Sequence, residues 1–342
     1  MLNADAKLST SVFANAIAKA PTRDGFGKGA VEAGKADPRV VVLCADLAES
    51  TRAEWFEKEF PERFIEMGVA EQNMATVASG MAAAGKIPFI ASYAVFSPGR
   101  NYEQIRTTIA LNHVPVKICG MHAGVSVGPD GATHQMLEDI GLMRMLPGMT
   151  VIAPGDAEEA QKAVVAAAKT DGPVYIRFSR SATPVFTTSK TPFSIGKALT
   201  LWDSCKGHPC AHESHKGVPC RAVAIFSTGS LSYAALQAAH ALSKDGIESI
   251  VLHLPTVKPL DEEAVLAAVR QTGRVVTVEE HQAAGGFGSA VAEFLVQHLP
   301  VPMRIIGVAD AFGQSGNPDE LLGHYGLDAL HIVEAARTLA RV

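Results

Sequence analysis

Cysteine is scarce in this chain: five residues in 342, an odd number that excludes a fully paired disulfide scaffold and fits a reducing, cytoplasmic setting. No stretch approaches the roughly 18 consecutive apolar residues of a membrane-spanning helix. Basic residues do not dominate either, and a formal charge of −5 lacks the positive face of a general nucleic-acid binder. Aromatic residues make up only 6%, and neither composition nor period signals a collagen-like, low-complexity or repeat protein. The opening MLNADAKLSTSVFANAIAKA carries a short apolar run broken by Asn15 and no cleavage signature, which reads as a leader helix rather than a signal peptide.

What remains is ordinary globular composition. Hydrophobic residues account for 47% of the chain, and at about 100–200 residues per domain the length predicts two cores. Short β-rich runs alternate with longer helical patterns, the signature of a parallel sheet covered by helices. The strand candidates are 40–46, 88–95, 115–121, 149–153 and 173–179, then 222–227, 249–254, 274–279 and 303–308. Met74, Val77, Ala78 and Met81 recur at helical spacing within 70–84, and Pro98 opens a second helix over 98–112, with Tyr102, Ile105 and Ile109 on one side. Residues 181–194 (SATPVFTTSKTPFS) read as a linker. The expected fold is therefore two α/β domains, 1–185 and a smaller 186–342, the second interrupted by a Cys/His-rich insertion at 204–220.

Two segments carry the chemistry: GVAEQNM at 68–74, opening a helix, and GPDGATHQ at 128–135, in a loop after a strand. A glutamate in a first helical turn is ordinarily a surface residue favoured by the helix dipole. Val69, Ala70 and Met74, however, offer Glu71 the apolar surround of an acid–base carboxyl. Together, inside an alternating α/β pattern, the two segments resemble the transketolase family of thiamine diphosphate enzymes. The likeness runs through 40–52, 88–106, 115–135, 143–156, 172–180 and GGFGSAVAE at 285–293. It is strongest to the C-terminal half of transketolase, encoded as a separate subunit. On that resemblance, 1–185 is a pyrimidine-binding-type domain and 186–342 a transketolase C-terminal-type domain.

The resemblance implies roles for residues that otherwise pass as caps, core or surface. The position of Glu71 in the family bonds the pyrimidine ring nitrogen of thiamine diphosphate and favours the tautomer that activates the thiazolium carbon. Tyr93 and Phe96 match the aromatic pair that borders the aminopyrimidine, while a further family aromatic is replaced by Gly99, leaving that wall open or filled by another group. Asp130 and His134 match residues that contact the hydroxyls and oxygens of the donor ketose, His134 with a catalytic share because imidazole can both donate and accept a proton. Arg23, Ser50, His122 and Arg180 match a sugar-phosphate clamp, in which arginine offers a planar fork and serine and histidine complete the shell.

One element of the family is missing. Its Mg²⁺ site uses a GDG motif with asparagine downstream, but here Gly155-Asp156 is followed by Ala157 and Asp171-Gly172 by Pro173. The glycines of HQAAGGFGS lack a Rossmann context and do not substitute. The chain is therefore expected to need an N-terminal transketolase subunit carrying the diphosphate and Mg²⁺ ligands, in an α2β2 assembly acting on sugar phosphates. The insertion has its own logic: SCKGHPC at 204–210 and SHKGVPC at 214–220 form a near-repeat that aligns Cys205 with His215 and Cys210 with Cys220. That is a Cys₃His zinc set, with His208 and His212 as alternatives and an exposed loop with free thiols as the competing reading. Two other activities share the superfamily, those of 1-deoxyxylulose-5-phosphate synthase and of a 2-oxo acid dehydrogenase beta subunit. GPDGATHQ and the clamp follow the transketolase pattern instead. A non-catalytic, zinc-carrying assembly subunit would not need Glu71, Asp130 and His134.

Overall fold

A computed structural model describes residues 1–14, 16–205 and 221–341. Its strands in chain order are β1 (Lys19–Ala20), β2 (Val40–Cys44), β3 (Phe64–Glu66), β4 (Ile87–Tyr93), β5 (Lys117–Met121), β6 (Thr150–Ile152) and β7 (Val174–Arg177). They continue with β8 (Thr183–Pro184), β9 (Leu199–Asp203), β10 (Val223–Ser227), β11 (Ser249–His253), β12 (Thr256–Lys258), β13 (Val275–Gln282) and β14 (Met303–Val308).

Strands such as β2, β5, β10 and β11 are buried at every residue, without alternation, because helices cover both sheet faces. Among the described residues the first half forms a seven-stranded sheet, order β12-β6-β7-β5-β4-β2-β3, parallel except at β12. The second forms a five-stranded sheet, order β14-β13-β10-β11-β9, parallel except at its edge strand β9. The expected α/β architecture with parallel sheets is what the chain adopts. All nine strand candidates lie on observed strands, shortened or extended by a few residues at their ends.

The two halves are stitched together. β12, from the second half, pairs antiparallel with β6 and forms the edge of the first sheet. Buried His253 of β11 bonds Glu159 Oε2 through Nε2 at 2.7 Å and Ser232 Oγ through Nδ1 at 2.7 Å. The turn from β13 into the Phe287–His298 helix is fixed by buried Glu279, which accepts from the backbone N–H groups of Phe287 and Gly288 at 2.6 and 2.7 Å.

Three expectations are corrected. No leader helix forms: the described part of 1–20 holds a 3₁₀ turn at Ala4–Ala6, a Leu2–Trp202 bridge onto β9, and β1 paired with β8. Asn3 and Ser9 offer side-chain acceptors to the nearby amides of Asp5 and Ser11, competing with helical bonding. The 98–112 helix is realised only over Tyr102–Gln104, followed by a wider π-type turn over Ile105–Ala110. Residues 181–194 are not a solvated linker, since Phe186 and Thr187 are buried. Asp156 holds them: its carboxylate accepts from the N–H groups of Phe186 and Thr187 at 2.8 and 2.6 Å, from Thr187 Oγ1 at 2.7 Å, and caps the Ala157–Ala168 helix through Glu159 N at 3.0 Å.

Replacing Asp156 by Ala removes a helix cap and leaves buried N–H groups unanswered, so urea denaturation should show a loss of about 2–4 kcal/mol. A loss below about 1 kcal/mol would mean that Asp156 does not hold the segment.

Candidate active site

Four parallel strands, β2, β4, β5 and β7, deliver their C-terminal ends to one edge of the first sheet, where open parallel sheets bind ligands. Strand order reverses at β2, with β3 on one side and β4 then β5 on the other. Tyr93 ends β4, and Phe96 follows three residues later with its ring nearly parallel, centroids 6.0 Å apart at 13°. His122 comes directly after β5 in a left-handed backbone conformation (φ 54°) and stacks on Tyr93 at 3.9 Å. His134 meets Tyr93 and Phe96 edge-on at 6.1 and 5.6 Å. The four rings form one aromatic shelf.

Glu71 stands beside it, the first residue of the Glu71–Ala83 helix and 2% exposed. Burying a carboxylate is costly unless it is paired. Arg100 Nη1 supplies the pair, donating to Glu71 Oε2 at 2.6 Å, and its guanidinium also lies over the Phe96 ring at 4.5 Å. Buried Asn101 ties the two segments, donating through Nδ2 to the Glu71 carbonyl at 3.1 Å and to Ser97 Oγ at 3.2 Å. Neither Arg100 nor Asn101 is singled out by the sequence reading. The available signal was the i,i+4 spacing of Phe96 and Arg100, which faces a cation toward a ring in any helical turn. Gly99 cannot carry the wall that the family's aromatic builds, because a Cβ there would lie 2.1 Å from the Val95 carbonyl oxygen. Arg100 borders the shelf next to it.

A second cluster is electropositive. Arg23, in the first turn of the Thr22–Ala36 helix, donates through Nη1 to the Ser50 carbonyl at 2.7 Å and lies 3.3 Å from His122 Nε2. A cation at a helix N-terminus opposes the helix dipole. Burial, then the neighbouring Arg52, holds the Arg23 pKa below its ordinary value. His122 is pushed down to about 3, by burial first and then by Arg23, Arg180 and Arg52, so its imidazole is neutral at pH 7. Among the described residues, Arg23 Nε and His122 Nδ1 are buried without a hydrogen-bond partner. Crowded guanidiniums and unmet buried donors are what an anionic ligand would answer.

The structure thus brings together Glu71, Tyr93, Phe96, His122, His134 and Arg23. Arg180 sits at the rim, donating to the Val127 carbonyl at 2.8 Å. Ser50 lies beside Arg23, its carbonyl accepting from the guanidinium at 2.7 Å. Asp130 is exposed at the end of the Val125–Asp130 turn, on the loop that carries His134 but apart from the bonded cluster. Of the expected zinc ligands, Cys205 is buried just after β9, while Cys210, His215 and Cys220 lie outside the described residues. Among the described residues no three His, Cys, Asp or Glu side chains gather as a metal site, and no helix is long and apolar enough to cross a membrane.

Comparison with known proteins gives the family of the chain. Residues 18–185 match the model of the transketolase pyrimidine binding domain, and 216–332 that of the transketolase C-terminal domain. A 6-deoxy-6-sulfo-D-fructose transketolase subunit from a Clostridium species is 39% identical over 92% of this chain and 92% of its own. Human transketolase is 35% identical over 94% of this chain but only 49% of its own length. A solved structure described as a split gene transketolase, an inactive beta4 tetramer, superposes with a TM-score of 0.83 at 41% identity, covering 94% of this chain and 98% of that one. Both domain models, one after the other on these sheets, place the chain in the transketolase family, whose members depend on thiamine diphosphate.

Proposed function

We propose that this chain is the pyrimidine-side subunit of a two-chain transketolase, transferring a two-carbon ketol unit from a ketose phosphate to an aldose phosphate. A separate subunit supplies the diphosphate and Mg²⁺ side of the site, in a cytoplasmic α2β2 assembly. One observation carries this reading: a buried carboxylate, an aromatic shelf and an arginine-rich corner share the same sheet edge.

The residues fit the pyrimidine half of the cofactor. Tyr93 and Phe96 offer flat faces to a heteroaromatic ring. Arg100 engages one oxygen of Glu71, leaving the other to share a proton with a ring nitrogen. When bound, thiamine diphosphate supplies the electron sink for carbon–carbon bond cleavage and formation. His134, with Nδ1 held 2.9 Å from Thr133 Oγ1, presents its other nitrogen to move a proton between a sugar hydroxyl and carbonyl. Arg23 and Arg180 bring the charge for a terminal phosphate, and neutral His122 adds a hydrogen bond without a further charge. The Clostridium relative is named for a sulfonated sugar, another terminal oxyanion, so phosphate and sulfonate donors belong in the same assay.

Glu71→Gln should keep the fold, by circular dichroism, and lower turnover in the assembled enzyme by about 10²–10⁴. Activity within a few-fold of the unmodified assembly would sink the assignment. Arg23→Ala and Arg180→Ala should each reduce kcat/KM for anionic ketoses about tenfold to a hundredfold, the scale of one charge-assisted bond, and leave uncharged ketoses nearly unaffected. Equal losses on both substrate types would show that the corner does not read the anion.

A further inference from the structure

The loop from Gly124 to Gln135, which carries Asp130 and His134, has local backbone bonds at its far end. There the Gly131 N–H reaches the Gly128 carbonyl, and the His134 and Gln135 N–H groups reach that of Gly131. The Ser126 amide, by contrast, is answered from outside the loop. Gly124, Gly128 and Gly131 all have positive φ, at 92°, 81° and 73°, and only a short irregular 3₁₀ turn lies between them. Further anchors come from elsewhere. Glu280, on β13 of the second sheet, is 4% exposed and takes the Ser126 N–H on its Oε1 at 2.7 Å. The approach is close enough that a Cβ on Gly124 would come within 2.2 Å of the same oxygen. Glu280 is itself held, since Arg177 of β7 donates through Nη2 to its backbone carbonyl at 2.7 Å while bonding Asp139 through Nε at 2.9 Å. At the loop's other end, Gln135 Nε2 donates to the carbonyls of Val125, Gly128 and Gln314 at 3.0, 3.2 and 2.9 Å. Gln314 also belongs to the second half of the chain.

A backbone carbonyl could have satisfied the Ser126 amide at little cost. A carboxylate buried for that purpose is a costly choice, offset only where its partners fix its geometry. We infer that Glu280 is a positioning residue for sugar binding: across the boundary between the two halves it clamps the loop that presents Asp130 and His134 to the substrate. The inference rests on the proposed transketolase function for its substrate, and on the clamp geometry alone for its structural half. The second sheet then shapes the sugar site without contributing a side chain to it. The Gln carboxamide oxygen can still accept from Ser126, whereas Ala leaves that amide buried and unanswered.

Two readouts separate positioning from general destabilisation. In the full-length chain, Glu280→Ala should raise hydrogen exchange across 124–135 by about tenfold or more while strand 117–121 and helix 71–83 keep their protection. Glu280→Gln should stay within about threefold of the unmodified chain. In the complex with the partner subunit, Glu280→Ala should raise KM for the donor ketose about tenfold with cofactor affinity unchanged, and Glu280→Gln should restore it. Should Glu280→Ala fail to fold, Glu280→Asp, which shortens the reach to the Ser126 amide by one methylene, should show the same pattern in weaker form. Unchanged exchange in the loop, exchange raised evenly through both halves, or a loosened loop with an unchanged KM would each overturn the inference. If the unmodified complex turns over no anionic ketose, the transketolase reading fails, and exchange alone decides whether Glu280 holds the loop.

Discussion

A carboxylate at a buried helix start has to be answered, and the pairing of Glu71 with Arg100 organises everything around it. Arg100 reaches Glu71 by lying across Phe96, which fixes that ring parallel to Tyr93. Tyr93 in turn stacks on His122, and His122 borders Arg23. One chain of contacts therefore runs from the carboxylate to the electropositive corner, through strand ends that the parallel sheet aligns. Its two ends carry opposite charge and its middle is aromatic. That is the layout a cationic or neutral heterocycle with an anionic sugar beside it would require.

Much of this was legible in the sequence, for identifiable reasons. Continuous apolar runs such as VVVLC at 40–44 mark strands covered on both faces, and the apolar spacing after Glu71 marks its helix. Tyr93, Phe96, His122, His134 and Arg23 lie together at one sheet edge with Glu71 beside them, and the roles the family resemblance implies for them stay proposals. Elements set by distant partners were not legible. β12 is three residues long and owes its existence to β6, about a hundred residues earlier in the chain. The Pro-, Ser- and Thr-rich stretch at 181–194 reads as a linker because composition cannot register the pull of Asp156 on Phe186 and Thr187. Glu280 escapes for a similar reason, acting through a contact that no local pattern encodes, while Arg100 offered only its i,i+4 spacing from Phe96 and not its bond to Glu71. Cys210, His215 and Cys220 stay an expectation from spacing alone.

The two sheets are more than neighbours. β12 completes the first sheet, His253 bonds Glu159, Arg177 bonds Glu280, and Asp156 draws in the segment that leads to the second half. Of these contacts, Arg177–Glu280 reaches the loop directly, since Glu280 also accepts from the Ser126 amide. A mutation deep in the second half can therefore move the loop that carries Asp130 and His134, and domain independence is a poor assumption for this chain. The corner around His122 shows the complementary principle. Arginine, histidine and helix terminus are held together at a cost, with buried nitrogens unanswered, and an anion would relieve all of them.

On the proposed function, this chain holds one half of a thiamine diphosphate site and a second polypeptide completes it. Calorimetric titration of thiamine diphosphate with Mg²⁺, into this chain alone and into its complex with the partner subunit, separates a shared site from a self-sufficient one. Weak or undetectable binding to the isolated chain and tight binding once the partner is added are expected on the proposed function, since the GDG motif of the family's Mg²⁺ site does not occur in this sequence. Tight, Mg²⁺-dependent binding by the isolated chain would contradict it.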